Sequence, residues 1–286
     1  MRPSWSILYR GRLSGCNYVC NYCPFAKTVD SREVLAGDAA DLGRFVDWVA
    51  ARSEEIGVLF TPWGEGLIRR HYREGMRELS WMPQVRRVAI QTNLSADLAW
   101  LAKVNLEKVA LWVTYHPSQV SRTRFLGQCA RLDGLGVAYS VGMVGMREDI
   151  PEIEAMRAAL PAGIYMWVNA YKRERPYYSG AERARLRAVD PYFPMNNVRH
   201  PSLGKSCRAG ESVFSVNGAG EMFRCHFIKQ GIGNIYAPGF EAALRERPCS
   251  MADCGCHIGY VHLDDLGLYD VFGNGILERI PEFWGV

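Results

Sequence analysis

The sequence predicts an α/β fold: a partial (βα)6 barrel followed by a small β-hairpin-plus-helix domain. Three observations carry this. Short β-branched or apolar runs recur at 5–10, 57–61, 87–92, 108–114, 138–143 and 164–169. Amphipathic stretches lie between them, among them 41–52, 70–79 and 122–135. Polar or Gly-rich residues follow several of the runs, as in Thr61-Pro62-Trp63-Gly64-Glu65, Thr92-Asn93, Thr114-Tyr115-His116 and Gly142-Met143-Val144-Gly145. Strands alternating with helices read as βαβ units on a parallel sheet. In such sheets the C-terminal strand ends carry the site, so these loops are expected to face one cavity. Six units make a partial TIM-like barrel, short of the eight of a closed one.

Hydrophobic residues make up 48% of the 286 and charged residues 22%, a globular rather than a disordered composition. The length fits a large domain with a smaller partner. The Pro/Asn-rich stretch 190–206 marks the expected boundary, giving segments 1–200 and 201–286. A formal net charge of +4 is too mild to argue for nucleic acid. No apolar run approaches the roughly 18 residues of a membrane helix, and no signal-peptide pattern opens the chain. A cytoplasmic protein is therefore expected. Its 9 cysteines, an odd number, point to metal binding or catalysis before disulfides.

Cys16, Cys20 and Cys23 follow the first expected strand, at the mouth of the barrel. Three thiolates this close can reach one inorganic centre from a loop. Tetrahedral zinc asks for four ligands, and no fourth lies nearby. A [4Fe–4S] cluster also takes four thiolates; with three, one iron stays open. A zinc knuckle borrowing a distant ligand and plain buried thiols are the alternatives. Cys16-x3-Cys20-x2-Cys23, with the aromatic Tyr22 before the third cysteine, resembles the signature of radical S-adenosylmethionine (SAM) enzymes. The resemblance implies a [4Fe–4S] cluster on the three cysteines, whose open iron chelates the amino and carboxylate groups of SAM. One electron cleaves the sulfonium, and the 5′-deoxyadenosyl radical then abstracts a substrate hydrogen. A flavodoxin- or ferredoxin-type electron donor is implied as well.

The family's other motifs have counterparts in chain order. Trp63-Gly64-Glu65-Gly66 is similar to the Gly-Gly-Glu-Pro loop that binds the SAM amino group; Gly64 and Glu65 are kept and the outer residues differ. A glycine allows close backbone approach and a carboxylate neutralises an ammonium, although Glu65 also reads as a helix-start carboxylate. Gln91-Thr92-Asn93 resembles the Thr-Asn-Gly of relatives, which makes Thr92 a candidate for the SAM carboxylate, or else an N-cap. After the fourth run, Thr114 matches the ribose-contacting position, with Ser118 beside it. His116 is a candidate acid/base, since histidine titrates near neutrality, or a structural histidine bonded to a turn carbonyl. Ser140-Val141-Gly142-Met143-Val144-Gly145 resembles the element next to adenine, which places Gly142 and Val144 there; its second glycine comes one residue early. Tyr22 is expected against the adenine or the cluster. Lys172, Arg173, Arg175, Tyr177 and Tyr178 read either as a rim for an anionic substrate or as a solvated linker.

The late cysteines are Cys207, Cys225, Cys249, Cys254 and Cys256. Runs 213–216 and 221–224 flank Asn217-Gly218-Ala219-Gly220 and read as a hairpin that brings Cys207 and Cys225 together. Cys207, twelve residues, Gly220, four residues, Cys225 resembles the hairpin of SPASM and Twitch domains, as does Gly233-Asn234-Ile235. Five cysteines are too few for the two auxiliary clusters of a SPASM domain and fit the shorter Twitch domain with one auxiliary [4Fe–4S] cluster. The resemblance gives Cys207 and Cys225 as two ligands; Cys254 with Cys256, then Cys249, are favoured for the others. A four-thiolate zinc site is the alternative. Cys129, in an amphipathic stretch, reads as a buried inert thiol.

The resemblance implies an oxidoreductase-like radical SAM enzyme that oxidises, or forms a bond in, a small biosynthetic metabolite. In hairpin spacing it is similar to Twitch-type aminocyclitol dehydrogenases. The rival is a maturase acting on a ribosomally made peptide. The chain opens at the first barrel strand, leaving no room for an N-terminal peptide-recognition domain, and that favours the small molecule. A zinc-stapled binding module without catalysis is the third reading.

Overall fold

The computed structural model describes residues 4–25, 28–174 and 176–284. Strands β1 (Ser4–Arg10), β2 (Glu55–Phe60), β3 (Val85–Thr92), β4 (Val109–Thr114), β5 (Ala138–Gly145) and β6 (Met166–Ala170) pair side by side in sequence order, all parallel. Four crossovers carry helices: α1 (Arg32–Ala50), α2 (Arg70–Trp81), α3 (Arg122–Leu135) and α4 (Ile150–Ala159). The β3–β4 crossover holds only a 3-10 turn at Ala99–Lys103, so the strand–helix alternation lapses there. The starts of α1 and α3 follow capping chemistry. The Ser31 hydroxyl accepts from the Val34 amide ahead of α1, and Ser121 does the same for Arg124 ahead of α3. Helix α3 stops at Gly136, whose φ of 72° suits glycine.

Period-two alternation sorts the strand side chains onto two faces. Trp5, Ile7 and Tyr9 of β1 face the helices and pack with Phe45, Val49 and Phe60 in the larger core. Leu8, Leu59, Ala89, Ala110, Trp112 and Trp167 form the opposite, inner face. Each of the larger aliphatic side chains, such as Leu8 and Leu59, contributes about 1.5–3 kcal/mol by leaving water. The inner face is covered by the end of the chain. Past α5 (Gly180–Val189), α6 (Phe193–Asn196) and β7 (His200–Pro201), the strands β8 (Val213–Asn217), β9 (Glu221–Phe223) and β10 (Gly231–Asn234) extend the sheet. The expected hairpin is β8–β9, paired antiparallel. Its docking was not foreseen: β8 pairs parallel with β1, so strands from both segments share one nine-stranded sheet. Strand β11 (Asp253–Cys254) pairs with β7, and α7 (His257–Tyr260) and α8 (Leu268–Phe272) lead to a C-terminal strap over the inner face. The Ser140 hydroxyl on β5 pins that strap by donating to the Glu278 carbonyl at 2.7 Å.

None of the nine cysteines is in a disulfide. Cys129 is buried in the core, and burial pushes its thiol up to about 12, as an inert thiol should be. Among the described residues, no helix is long and apolar enough to cross a membrane.

Gly142 lies under the Trp167 indole, and a Cβ there would sit 2.1 Å from the ring. Gly142→Ala is therefore expected to lower stability by about 1–3 kcal/mol through overpacking. A denaturant titration checks this: the midpoint should fall with the slope unchanged.

Candidate functional site

The described residues between β1 and α1 have no ladder partner, so their amides need other acceptors. Two carboxylates supply them, buried Asp38 and half-buried Asp30. Asp38 of α1 accepts from the Arg12 and Leu13 amides at 2.6 and 3.2 Å and bonds His71 Nε2 at 2.8 Å. Gly11 is required beside it, because a Cβ would come within 2.2 Å of Asp38 Oδ1. Asp30 accepts from the Gly15 amide at 2.6 Å and from the Ser14 hydroxyl at 2.7 Å. The loop after β2 then presses on the residue ahead of Cys16. The Glu65 amide donates to the Gly15 carbonyl at 3.2 Å, and a Cβ on Gly64 would lie 2.0 Å from that oxygen.

Glu65 itself is 3% exposed. Its carboxylate accepts from the Thr92 hydroxyl at 2.7 Å, the Asn93 amide at 2.6 Å and the Leu67 amide at 3.0 Å. Burial pushes its pKa up against those three bonds. Glu65 and Thr92 thus hold each other, and the loop ends of β2 and β3 become one unit under the cysteines.

The three early thiols lie close enough to feel one another's charge, and burial pushes Cys16 and Cys20 up. The Tyr18 amide points at Cys16 Sγ from 3.4 Å, and Asn93 Nδ2 from 3.7 Å. Val19 is tied by its amide to Gln119 Oε1 at 3.0 Å, and the Tyr22 carbonyl accepts from Arg173 Nη2 at 3.3 Å. The Tyr22 hydroxyl meets His116 Nδ1 at 2.7 Å and also bonds the Cys20 thiol. Burial pushes His116 down to about 4, so the imidazole is neutral at pH 7. Of the other expected residues, Thr114, Gly142 and Val144 share the inner face of β4 and β5, by alternation with Trp112 and Ser140. Ser118 is exposed and bonded to Gln119. In the expected rim, Arg173 reaches the cysteine loop. Tyr178 is a buried brace donating to the Gly145 carbonyl, and Arg175 lies outside the described residues.

All five late cysteines line one cavity of about 310 Å³, together with Arg224. Backbone amides point at the sulfurs: Ala209 at Cys207, Phe227 and Ile228 at Cys225, Cys256 at Cys254, and Ile258 at Cys256. Buried Arg224 is held by the Arg247 and Pro248 carbonyls and puts a fixed positive charge beside Cys207 and Cys225. Gly259 makes room for Cys254, since a Cβ would lie 2.7 Å from its sulfur. Cys249 acts on Cys207, Cys225 and Cys254, whereas Cys256 acts on Cys254 and otherwise faces the charges of Lys172, Arg279 and Arg10. Among the described residues, no three Cys, His, Asp or Glu side chains come together as a ready single-ion site.

Asp30, Asp38, Gln119 and His226 were missed by sequence reasoning, and Asn93 entered it only as part of a motif. Only His226 had a signal, its place next to Cys225. Its Nε2 bonds the Thr61 hydroxyl at 2.8 Å and so joins the late cysteines to the loop that carries Gly64 and Glu65.

No family model matches the chain, and no curated protein matches it significantly. Solved structures do match. That of anSMEcpe with bound AdoMet gives a TM-score of 0.54 at 13% identity, over 84% of this chain and 79% of that one. The same protein with AdoMet and a Cp18Cys peptide gives 0.53 at 14%, over 84% and 82%. BtrN in complex with AdoMet and 2-DOIA gives 0.39 at 15%, over 85% and 86%. The likeness to anSMEcpe shows a shared fold.

The depressed pKa of His116 has a consequence for stability. Its folded value of about 4 lies below its ordinary 6.5, so its contribution is whole above pH 6.5 and lost as pH falls through 4. His116→Gln is expected to flatten the loss of stability in that window. Imidazole NMR of the wild type should show His116 neutral at about pH 6; protonation there contradicts the burial argument.

Proposed function

We propose that this chain is a radical SAM enzyme with its SAM site in residues 1–200 and a Twitch-like auxiliary [4Fe–4S] cluster in 201–286. The observation that carries the reading is the position of Cys16, Cys20 and Cys23. They stand at the C-terminal ends of the parallel strands, on a loop braced by Asp30 and by the Gly64–Glu65 backbone. The donor chemistry fits a cluster. Thiols are gathered at both ends of the chain, amides point at their sulfurs, and glycines stand where a Cβ would close the space. The shared fold adds support, because anSMEcpe carries bound AdoMet.

Cys16, Cys20 and Cys23 would hold the first cluster, which when bound and reduced would supply the electron for reductive cleavage of SAM. This chain's own residues bind and orient. The Gly64–Glu65 segment offers backbone to the SAM amino group, while the Glu65 side chain braces Thr92 and Asn93. Thr114, Gly142 and Val144 line the inner strand ends toward the nucleoside. Tyr22 and neutral His116 close the cluster side through one hydrogen bond, so His116 serves here as a positioning residue and not as an acid. Cys207, Cys225, Cys249 and Cys254 hold the auxiliary cluster; what supports Cys249 over Cys256 is that it acts on three of the other late thiols, where Cys256 acts on Cys254 alone. The reaction is an oxidation or bond formation on a small metabolite, with electrons from a flavodoxin- or ferredoxin-type donor. A peptide substrate is the second reading, favoured by the peptide held on the related fold.

Anaerobically reconstituted protein with dithionite is expected to convert SAM to 5′-deoxyadenosine and methionine. Cys16→Ala, Cys20→Ala and Cys23→Ala should each abolish this, measured by liquid chromatography. Failure of the wild type to cleave SAM, with clusters present, sinks the reading. A second outcome separates the late thiols: Cys249→Ala should lose the auxiliary cluster's visible absorption, while Cys256→Ala keeps it.

A further inference from the structure

The alternation that turns Trp5, Ile7 and Tyr9 to the helices turns Arg10 to the inner face. Its Nε donates to the Thr61 carbonyl at 2.8 Å, and its guanidinium lies 5.5 Å from the Trp63 ring centroid. Among the described residues no carboxylate pairs with it.

Arg279 reaches the same face from the C-terminal strap. It is 2% exposed, and its guanidinium stands 4.6 Å from the Trp167 centroid and 5.7 Å from that of Trp112. Among the described residues it makes no hydrogen bond or ion pair, and its Nε is a buried donor without an acceptor. Its backbone φ is 57°, a left-handed value that costs a non-glycine residue. Asp190 feels its charge, but both Asp190 oxygens already accept, from the Tyr165 hydroxyl and from the Tyr192 and Val168 amides. A buried cation without a hydrogen-bonded or ion-paired partner is expensive, and two indole faces offset only part of that cost. Here that cost is combined with backbone strain at one residue, which points to a ligand.

Lys172, which donates to the Asn196 carbonyl, and the two arginines converge on Cys256. Gln91, Thr114 and Asn169 also face inward at the strand ends, and none makes a side-chain hydrogen bond among the described residues.

We propose that this inner face binds an oxyanion of the substrate, a carboxylate or a phosphate, through Arg10 and Arg279 with Lys172 beside them. Guanidinium groups present forked donors that match either oxyanion, and the low-dielectric surroundings strengthen the contact. The substrate's uncharged polar groups meet Gln91 and Asn169. That the ligand is the substrate rests on the radical SAM reading; that the site takes an anion does not.

The test uses the reconstituted protein and two probes, inorganic phosphate and succinate, followed by tryptophan fluorescence, since Trp63, Trp112 and Trp167 flank the arginines. Saturable binding of at least one probe is expected, and the tighter one names the oxyanion. Arg10→Gln should weaken it about tenfold or more, and Arg10→Lys should keep most of it. Arg279→Gln should weaken it too; if that variant does not fold by circular dichroism, the Arg10 pair decides. Saturating SAM should leave the affinity unchanged. Absence of binding by both probes, an Arg10→Gln variant that binds like wild type, or competition by SAM overturns the proposal. SAM cleavage is assayed on the same preparation. Cleavage without anion binding sinks this inference alone, and anion binding without cleavage sinks the radical SAM reading alone.

Discussion

The loop that carries Cys16, Cys20 and Cys23 has no helix or strand among its described residues, and two carboxylates, buried Asp38 and half-buried Asp30, fix its path. Asp38 and Asp30 take the amides of Arg12, Leu13, Ser14 and Gly15, which no strand or helix satisfies. Glu65 fastens the two neighbouring strand ends together beneath them. A buried amide left without an acceptor costs about 1–3 kcal/mol, so each carboxylate fixes the path of several residues. Because Asp38 sits on α1 and Glu65 follows β2, the loop inherits the rigidity of the helix layer and the sheet.

The same economy joins the two cysteine groups. Strand β8 adds to β1, so Cys207 and Cys225, on either side of the β8–β9 hairpin, are carried to the edge where the early cysteines begin. His226 then bonds Thr61 at the end of β2. The C-terminal strap closes the inner face through Ser140 and the two tryptophans, and it delivers Arg279 there. One sheet therefore sets the relation between both sulfur-lined sites and the cationic face between them.

Much of the frame was legible from periodicity. All six parallel strands lie within about two residues of the apolar runs, and α3 matches its stretch. Helix α1 starts nine residues before the stretch assigned to it, at 32 rather than 41. Asp38 and Asp41 interrupt its apolar pattern because they face inward to hold the loop. The β3–β4 crossover lacks its helix, and the β1–β8 pairing depends on an edge that only the folded sheet offers. At the site, spacing found the thiols and favoured Cys256 over Cys249, an order that the proposed ligand set reverses. That distinction is tertiary: Cys249 acts on three other late thiols, while Cys256 acts on Cys254 and faces a lysine and two arginines. The bracing aspartates carry no spacing signal, since a lone Asp reads the same on any surface.

The most direct measurement is iron and sulfide counting with EPR on anaerobically reconstituted protein, beside a Cys16/Cys20/Cys23→Ala variant. About eight irons in the wild type and about four in the variant, with SAM perturbing only the wild-type spectrum, is the predicted result. Zinc at the late cysteines, or equal iron in both proteins, contradicts the account.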